Sequence, residues 1–226
     1  PRFDSGPCYH LPRYCSAGWL DMTPDLFTEP SAAGEAIALP GADLQYFPDC
    51  FSRQEADACL AGLAEGIHWQ QGTVFVYGKR HPEPRLSAWY GDAGCSYTYS
   101  GLRHEPLPWT PLLGSIKSRI EQHAGGVVFN SALANLYRNG ADGVGWHSDD
   151  EPELGFAPVI ASVSFGQPRP FQLRHRADRS LRYSLVLPHG SLLLMRGETQ
   201  RNWQHQIPKS AKTLQPRINL TFRVVR

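Results

Sequence analysis

Several things are scarce in this chain, and each scarcity excludes something. Cysteine is sparse: Cys8, Cys15, Cys50, Cys59 and Cys95 are odd in number, scattered and without a C-x-x-C pair. That argues against a disulfide framework or a zinc knuckle and fits a reducing compartment. No apolar run is long enough to span a bilayer, and no signal-like segment stands out, so no membrane is expected. Charge of one sign is lacking too: 22 Lys and Arg oppose 21 Asp and Glu, a net of +1. No global basicity announces a nucleic acid, although a local patch stays open because fields act locally. These readings predict a globular monomer, cytoplasmic in a bacterium or nuclear in a eukaryote.

What is present is unevenly arranged along the 226 residues. Residues 1–40 are rich in Pro, Gly and Ala and lack periodicity, which predicts an N-terminal extension and linker without order. Residues 41–226 read as one domain. Ser52-Arg53-Gln54-Glu55 has the capping-box pattern, and Ala56, Cys59, Leu60 and Leu63 follow at helical spacing, predicting a helix over 53–65. Thr110-Pro111 reads as the start of a second helix, with Leu112, Leu113, Ile116 and Ile120 as its stripe and Gly125-Gly126 beyond its end. Helical spacing then disappears. Short β-rich runs at 131–137, 144–147, 159–165, 170–174, 182–187, 191–195, 202–206 and 217–225 alternate with Pro, Gly, Asn and Asp. This predicts a mainly β, α+β protein: a double-stranded β-helix of the jelly-roll, cupin-like kind, with the helices bracing one sheet from outside.

His147 and Asp149 stand two apart after a Gly-rich turn, so on an extended chain both face one cavity. His205, on a later β-like run, completes two imidazoles and a carboxylate. That set is the facial triad of non-haem Fe(II) oxygenases, which leaves coordination positions open. An H-x-D pair alone is weak, and the same donors with water also suit zinc hydrolysis.

The run after His205 weighs against zinc. Arg217, Asn219, Thr221 and Arg223 share one face by the period of two. A guanidinium grips a carboxylate bidentately, and buried arginines are costly without anions. A dicarboxylate such as 2-oxoglutarate supplies them, chelating iron at one end and meeting an arginine at the other. Asn135 and Tyr137, also two apart, end the strand before the metal loop and add hydrogen-bonding groups. The bland alternative is an edge strand with a solvated polar face.

At these residues the chain resembles the AlkB family of Fe(II)/2-oxoglutarate dioxygenases, roughly over 44–226. The matching stretches are Asn135-Leu136-Tyr137, His147-Ser148-Asp149, His205 and Arg217-x-Asn219-Leu220-Thr221-x-Arg223. Pro84-Arg85-Leu86-Ser87-Ala88-Trp89-Tyr90-Gly91-Asp92, Tyr97-Thr98-Tyr99-Ser100-Gly101 and the acids Asp150-Glu151 resemble the animal DNA-repair subgroup. The resemblance implies that His147, Asp149 and His205 bind Fe(II), and that Asn135, Tyr137, Arg217, Asn219, Thr221 and Arg223 hold 2-oxoglutarate, with O₂ as the other co-substrate. It implies a dioxygenase domain over 41–226 with a nucleotide-recognition lid at about 72–105. Tyr97, Tyr99 and Ser100 would line the lesion pocket, with Trp89 stacking nearby and Asp150 approaching the damaged base. Tyr77-Gly78-Lys79 falls where a relative carries a duplex-probing hairpin. The implied reaction removes the N-methyl of 1-methyladenine or 3-methylcytosine in single- or double-stranded DNA. Such a base must leave the stack, and aromatic faces suit holding it; a half-buried strand surface also favours aromatics.

Arg169, Arg174, Arg176, Arg179 and Arg182, with His175, make a local basic segment that suits phosphates or a plain solvated hairpin. The alternatives are an RNA demethylase, another 2-oxoglutarate-dependent hydroxylase, or a cupin-like binding module without catalysis.

Overall fold

A computed structural model describes residues 34–76, 79–95, 97–99 and 102–226. Its strands and helices, in chain order, are β1 (Glu35–Ile37), β2 (Asp43–Phe47), α1 (Arg53–Gly66), β3 (Thr73–Val76), β4 (Lys79–Pro82), β5 (Leu86–Gly91), β6 (Tyr97–Tyr99), β7 (Leu102–His104), α2 (Pro111–Glu121), β8 (Ser131–Tyr137), β9 (Val144–His147), β10 (Ile160–Gly166), β11 (Arg169–His175), β12 (Arg182–Leu187), β13 (Ser191–Arg196), α3 (Thr199–Asn202), β14 (Trp203–Ile207) and β15 (Arg217–Arg223). A seven-stranded sheet runs β1-β2-β13-β10-β15-β8-β5, and a four-stranded sheet runs β12-β11-β14-β9. The pairs β3-β4 and β6-β7 are separate hairpins. This is the double-sheet jelly roll that the strand spacing predicts. Among the described residues no helix is long and apolar enough to cross a membrane.

The starts of α1 and α2 follow their capping chemistry. Ser52 Oγ accepts from Glu55 N–H, and Glu55 Oε2 accepts from Ser52 N–H at 2.7 Å. Thr110 Oγ1 accepts from Leu113 N–H at 3.2 Å, with Pro111 at the first helical position. α1 and α2 bury Ala56, Cys59, Leu63, Leu113, Ile116 and Ile120 against one face of the large sheet, where they meet Val163, Phe165, Leu192, Leu194, Ile218, Leu220 and Phe222. At about 25 cal/mol per Å² of buried apolar surface, this layer is the main source of stability.

The other face of the large sheet looks toward the small one. Tyr137, Ile160, Leu193 and Met195 pack there on Phe171, Leu173, Leu187, Trp203 and Ile207. Here the strict alternation of β8, β10 and β15 matters: each strand sends apolar side chains to the helices and Asn135, Ser162, Ser164, Arg217, Asn219, Thr221 and Arg223 inward. Polar groups at such density inside a sandwich mark a cavity rather than a core.

Two expectations change and one alternative falls. β15 is no edge strand: it lies between β10 and β8 and is buried throughout. Glu35–Ile37, within the stretch whose composition reads as linker, pairs with β2 as an edge strand. Arg169 leaves the basic surface segment, because it is 1% exposed and donates to the carbonyls of Asn139, Asp142 and Pro208.

Candidate metal centre

The two histidines are cross-strand partners. β14 pairs with β9 so that His205 lies opposite His147, with an irregularity between His205 and Ile207. Their rings stand 4.2 Å apart, centroid to centroid. Asp149 follows β9 by two residues and is buried. One ligand atom from each of His147, Asp149 and His205 lies within 4.8 Å of the others.

Neighbours fix each ligand. Nδ1 of His147 is 2.8 Å from the carbonyl of Gly145, an acceptor only, so Nδ1 carries a proton and Nε2 is the ring nitrogen left for a metal. That Nε2 is 3.9 Å from Asp149 Oδ1. His205 stacks on Phe171 at 5.0 Å, and burial, reinforced by His147, pulls its pKa down to about 3, so it is neutral at physiological pH. Burial opposes ionisation of Asp149, but the Arg223 guanidinium and the two imidazoles outweigh it and hold the carboxyl well below the usual range. The backbone N–H of Asp149 donates to Gln200 Oε1 at 2.9 Å, and the Ser148 hydroxyl donates to Trp203 O at 3.0 Å. Two imidazoles and a carboxylate suit a divalent cation, and the donors alone allow iron or zinc.

Beside the triad the same cavity is lined by Asn135, Tyr137, Arg217, Asn219, Thr221 and Arg223. Arg217 is 1% exposed. Its Nη2 donates to Ser164 Oγ at 2.9 Å, whereas Nε and Nη1 find no hydrogen-bond partner among the described residues. Burial draws its pKa down to about 10, which still leaves it charged at neutral pH. A buried cation with two open donors calls for an anion, and a carboxylate fits that fork. The residues present therefore fit a carboxylate co-substrate beside a metal.

The pocket residues are not equivalent. Arg223 Nη2 is 2.9 Å from Asp149 Oδ1, which ties it to the candidate metal ligand. Asn219 donates to Ser162 Oγ and Val163 O and accepts from Thr221, so this pair is engaged within the sheet. Tyr137 lies between two guanidinium groups, Arg217 at 5.2 Å and Arg169 at 5.8 Å.

The substrate-side residues scatter more. Asp150 is exposed and bonds Arg176 Nη1 at 2.6 Å, and it does not line the cavity. Trp89, on β5, packs on the inter-sheet core. Lys79 is exposed on β4. Tyr77, Gly78 and Ser100, and the side chains of Tyr97 and Tyr99, lie outside the described residues. Of the basic segment, Arg176, Arg179 and Arg182 are exposed, while Arg174 covers Trp146 at 4.3 Å and donates twice to Gln204 Oε1. Two lining residues, Phe171 and Met195, carry no motif, nor do Ser164 and Gln200, which hold Arg217 and Asp149 from behind; Arg85 lies in a matching stretch that assigns it no role. Only Ser162 and Ser164 left a trace, as polar positions two apart in an apolar strand.

Comparison with known proteins agrees with this geometry. The family profile described as "2OG-Fe(II) oxygenase superfamily" matches residues 43–223. The human alpha-ketoglutarate-dependent dioxygenase alkB homolog 3 is 45% identical over 188 residues, covering 79% of this chain and 65% of that protein. The human DNA oxidative demethylase ALKBH2 is 43% identical over 202 residues, covering 84% of this chain and 76% of that protein. The Arabidopsis thaliana protein of the same name is 38% identical over 210 residues, 82% of this chain and 67% of that protein. The chain thus spans about two thirds of the length of the alkB homolog 3 relatives. In fold it is similar to a solved structure of OsALKBH1, with a TM-score of 0.60, 17% identity, and coverage of 83% of this chain and 98% of that one. With a complete His/Asp/His set and an open arginine in one cavity, the chain belongs to the 2OG-Fe(II) oxygenase superfamily, within its AlkB group.

Proposed function

We propose that this chain is an Fe(II)- and 2-oxoglutarate-dependent dioxygenase that demethylates N-alkylated bases, such as 1-methyladenine and 3-methylcytosine, in DNA. The observation that carries the reading is one buried cavity holding both the His147/Asp149/His205 set and the unpartnered Nε and Nη1 of Arg217. The DNA substrate is supported by the relatives named DNA oxidative demethylase, at 38–43% identity.

Fe(II), when bound, supplies the redox chemistry with O₂, while 2-oxoglutarate is converted to succinate and CO₂. His205 remains a neutral donor, His147 offers Nε2 with its Nδ1 held by the Gly145 carbonyl, and Asp149 contributes the compensating negative charge. Arg217 receives the distal carboxylate, with Ser164 fixing its fork. Asn135 and Tyr137 complete that wall, and Thr221 and Asn219 hold it rigid. One oxygen atom enters a C–H bond of the N-methyl group. The resulting hydroxymethyl then loses its hydroxyl proton, its C–N bond breaks, formaldehyde leaves, and the base nitrogen keeps the electron pair. The exposed Arg179 and Arg182 offer phosphate contacts, as does Arg176 beside its partner Asp150.

Purified protein with Fe(II) and 2-oxoglutarate should reduce the mass of a 1-methyladenine oligonucleotide by one CH₂, with formaldehyde released. Turnover on methylated RNA but not DNA would shift the substrate to RNA. No mass change on either, with succinate still formed, would make the chain another hydroxylase.

A further inference from the structure

Three guanidinium groups line the cavity, from Arg85, Arg217 and Arg223. Like charges in one small space need sorting. Asp149 sits on Arg223 at 2.9 Å. Glu83 sits on Arg85, with Oε2 3.4 Å from Nη2, and both side chains are almost fully buried. That arrangement leaves Arg217 with two open donors.

Glu83 is itself held on several sides. Its N–H donates to Gly72 O at 2.9 Å, and its carbonyl accepts from Gln71 Nε2 at 3.1 Å. Gly72 lies so close that a Cβ there would come 2.9 Å from the Glu83 carboxylate carbon. The next link runs inward: Arg85 Nε donates to Asn135 Oδ1 at 2.8 Å. A guanidinium can only donate, so this bond decides which end of the Asn135 amide faces which way. With Oδ1 taken by Arg85, the amide NH₂ is the end left for a ligand. Asn219, the register partner of Asn135 across β15, has its NH₂ engaged by Ser162 and Val163.

We propose that Glu83 is a positioning residue for the co-substrate pocket: its buried carboxylate holds Arg85, Arg85 fixes Asn135 with its NH₂ toward the ligand, and the ion pair keeps Arg85 from acting as a second anion receptor beside Arg217. This rests on the pocket taking 2-oxoglutarate. The relay selects for a ligand that presents one carboxylate to Arg217 and its acceptors to Asn135. A freed Arg85 would instead favour any small dicarboxylate.

The test is anaerobic calorimetry on Mn(II)-loaded protein, titrated with 2-oxoglutarate and with succinate, which has two carboxylates and no keto group. Glu83→Gln should raise the Kd for 2-oxoglutarate about 10-fold while succinate binds as well or better, so that discrimination collapses. Arg85→Lys retains the charge but loses the planar fork, and should raise the 2-oxoglutarate Kd to a similar extent. The double variant should bind no worse than Arg85→Lys alone, because both changes break one relay. Additive losses, or parallel weakening of both ligands along with a lower Tm, would overturn the relay in favour of a merely structural glutamate. Should Glu83→Gln not fold, Arg85→Lys binding 2-oxoglutarate like wild type would overturn it equally. If wild type binds no 2-oxoglutarate, the co-substrate reading itself falls and takes this inference with it; wild-type binding with an unchanged Glu83→Gln overturns the inference alone.

Discussion

Nη2 of Arg223 lies 2.9 Å from Oδ1 of Asp149, so the last strand of the large sheet is ion-paired to a carboxylate beside the small sheet. Both side chains are buried, at 6% and 4% exposure. Breaking such a pair from one side leaves an uncompensated charge. Arg223→Met should therefore lower the metal-free unfolding free energy by about 3–5 kcal/mol in urea titrations. The half-exposed pair of Arg196 with Asp43 provides the contrast: Arg196→Met should cost under about 1 kcal/mol. Equal losses in the two variants would contradict the buried-pair account.

Arg217 differs from Arg223 in having no carboxylate partner among the described residues. Arg217→Met removes the open donors without touching a metal ligand, so it should separate the two binding events. We expect KM for 2-oxoglutarate to rise about 100-fold, in line with loss of a bidentate charged contact, and Mn(II) affinity to stay near wild type. A variant that loses the metal and keeps 2-oxoglutarate would reverse these roles.

Acid should destabilise the metal-free protein in two stages. Burial holds His205 down at about 3, against roughly 6.5 in an unfolded chain. Below pH ~6.5 the unfolded chain takes up a proton that folded His205 refuses, so stability falls as pH drops from there toward 3. The Asp149 carboxyl is also held low, so the unfolded chain gains a second proton advantage below about pH 3.9. Calorimetric Tm should be nearly flat from pH 8 to 7 and decline from 6.5 to 4. His205→Asn should flatten the upper part of that decline, and an unchanged slope would count against a neutral His205.

Arg179 and Arg182 are exposed on the β11–β12 hairpin and play no part in the cavity. If they meet phosphates, each change to Ser should reduce the slope of log K against log salt by about one, with no change in 2-oxoglutarate affinity. Binding to a methylated oligonucleotide at several salt concentrations measures this directly.

Residues with a period were legible in the sequence. The inward face of β15 repeats every two residues, and its polar set sits in a run otherwise apolar, so Arg217, Asn219, Thr221 and Arg223 could be grouped before any geometry. The same rule paired Asn135 with Tyr137 and His147 with Asp149. The register that sets His205 opposite His147 was not readable, because cross-strand pairing depends on turns far apart in the chain. Gln200 and Glu83 were equally hidden, because a lone polar residue carries no spacing signal, and Arg85 stood in a matching stretch without any sign of its bond to Asn135. The basic segment shows the converse error, in which adjacency suggested one surface while Arg169 alternated inward to bind three carbonyls. Residues 35–37 misled for a different reason, since a three-residue edge strand, mostly exposed and set among Pro, Gly and Ala, looks like linker.

β9 is a four-residue strand at the border of the small sheet, joined to β14 through pairs at only two positions, His147 and Val144. A short border strand of this kind frays readily, with local opening far cheaper than global unfolding. Because His147 sits on β9 and His205 on β14, one ion held by both would act as a stitch along that seam. Amide exchange at Val144–His147 would then report metal occupancy, slow when loaded and fast when stripped, while β15 stays protected in both states. The metal would thus be part of the fold's local hem as well as of its chemistry.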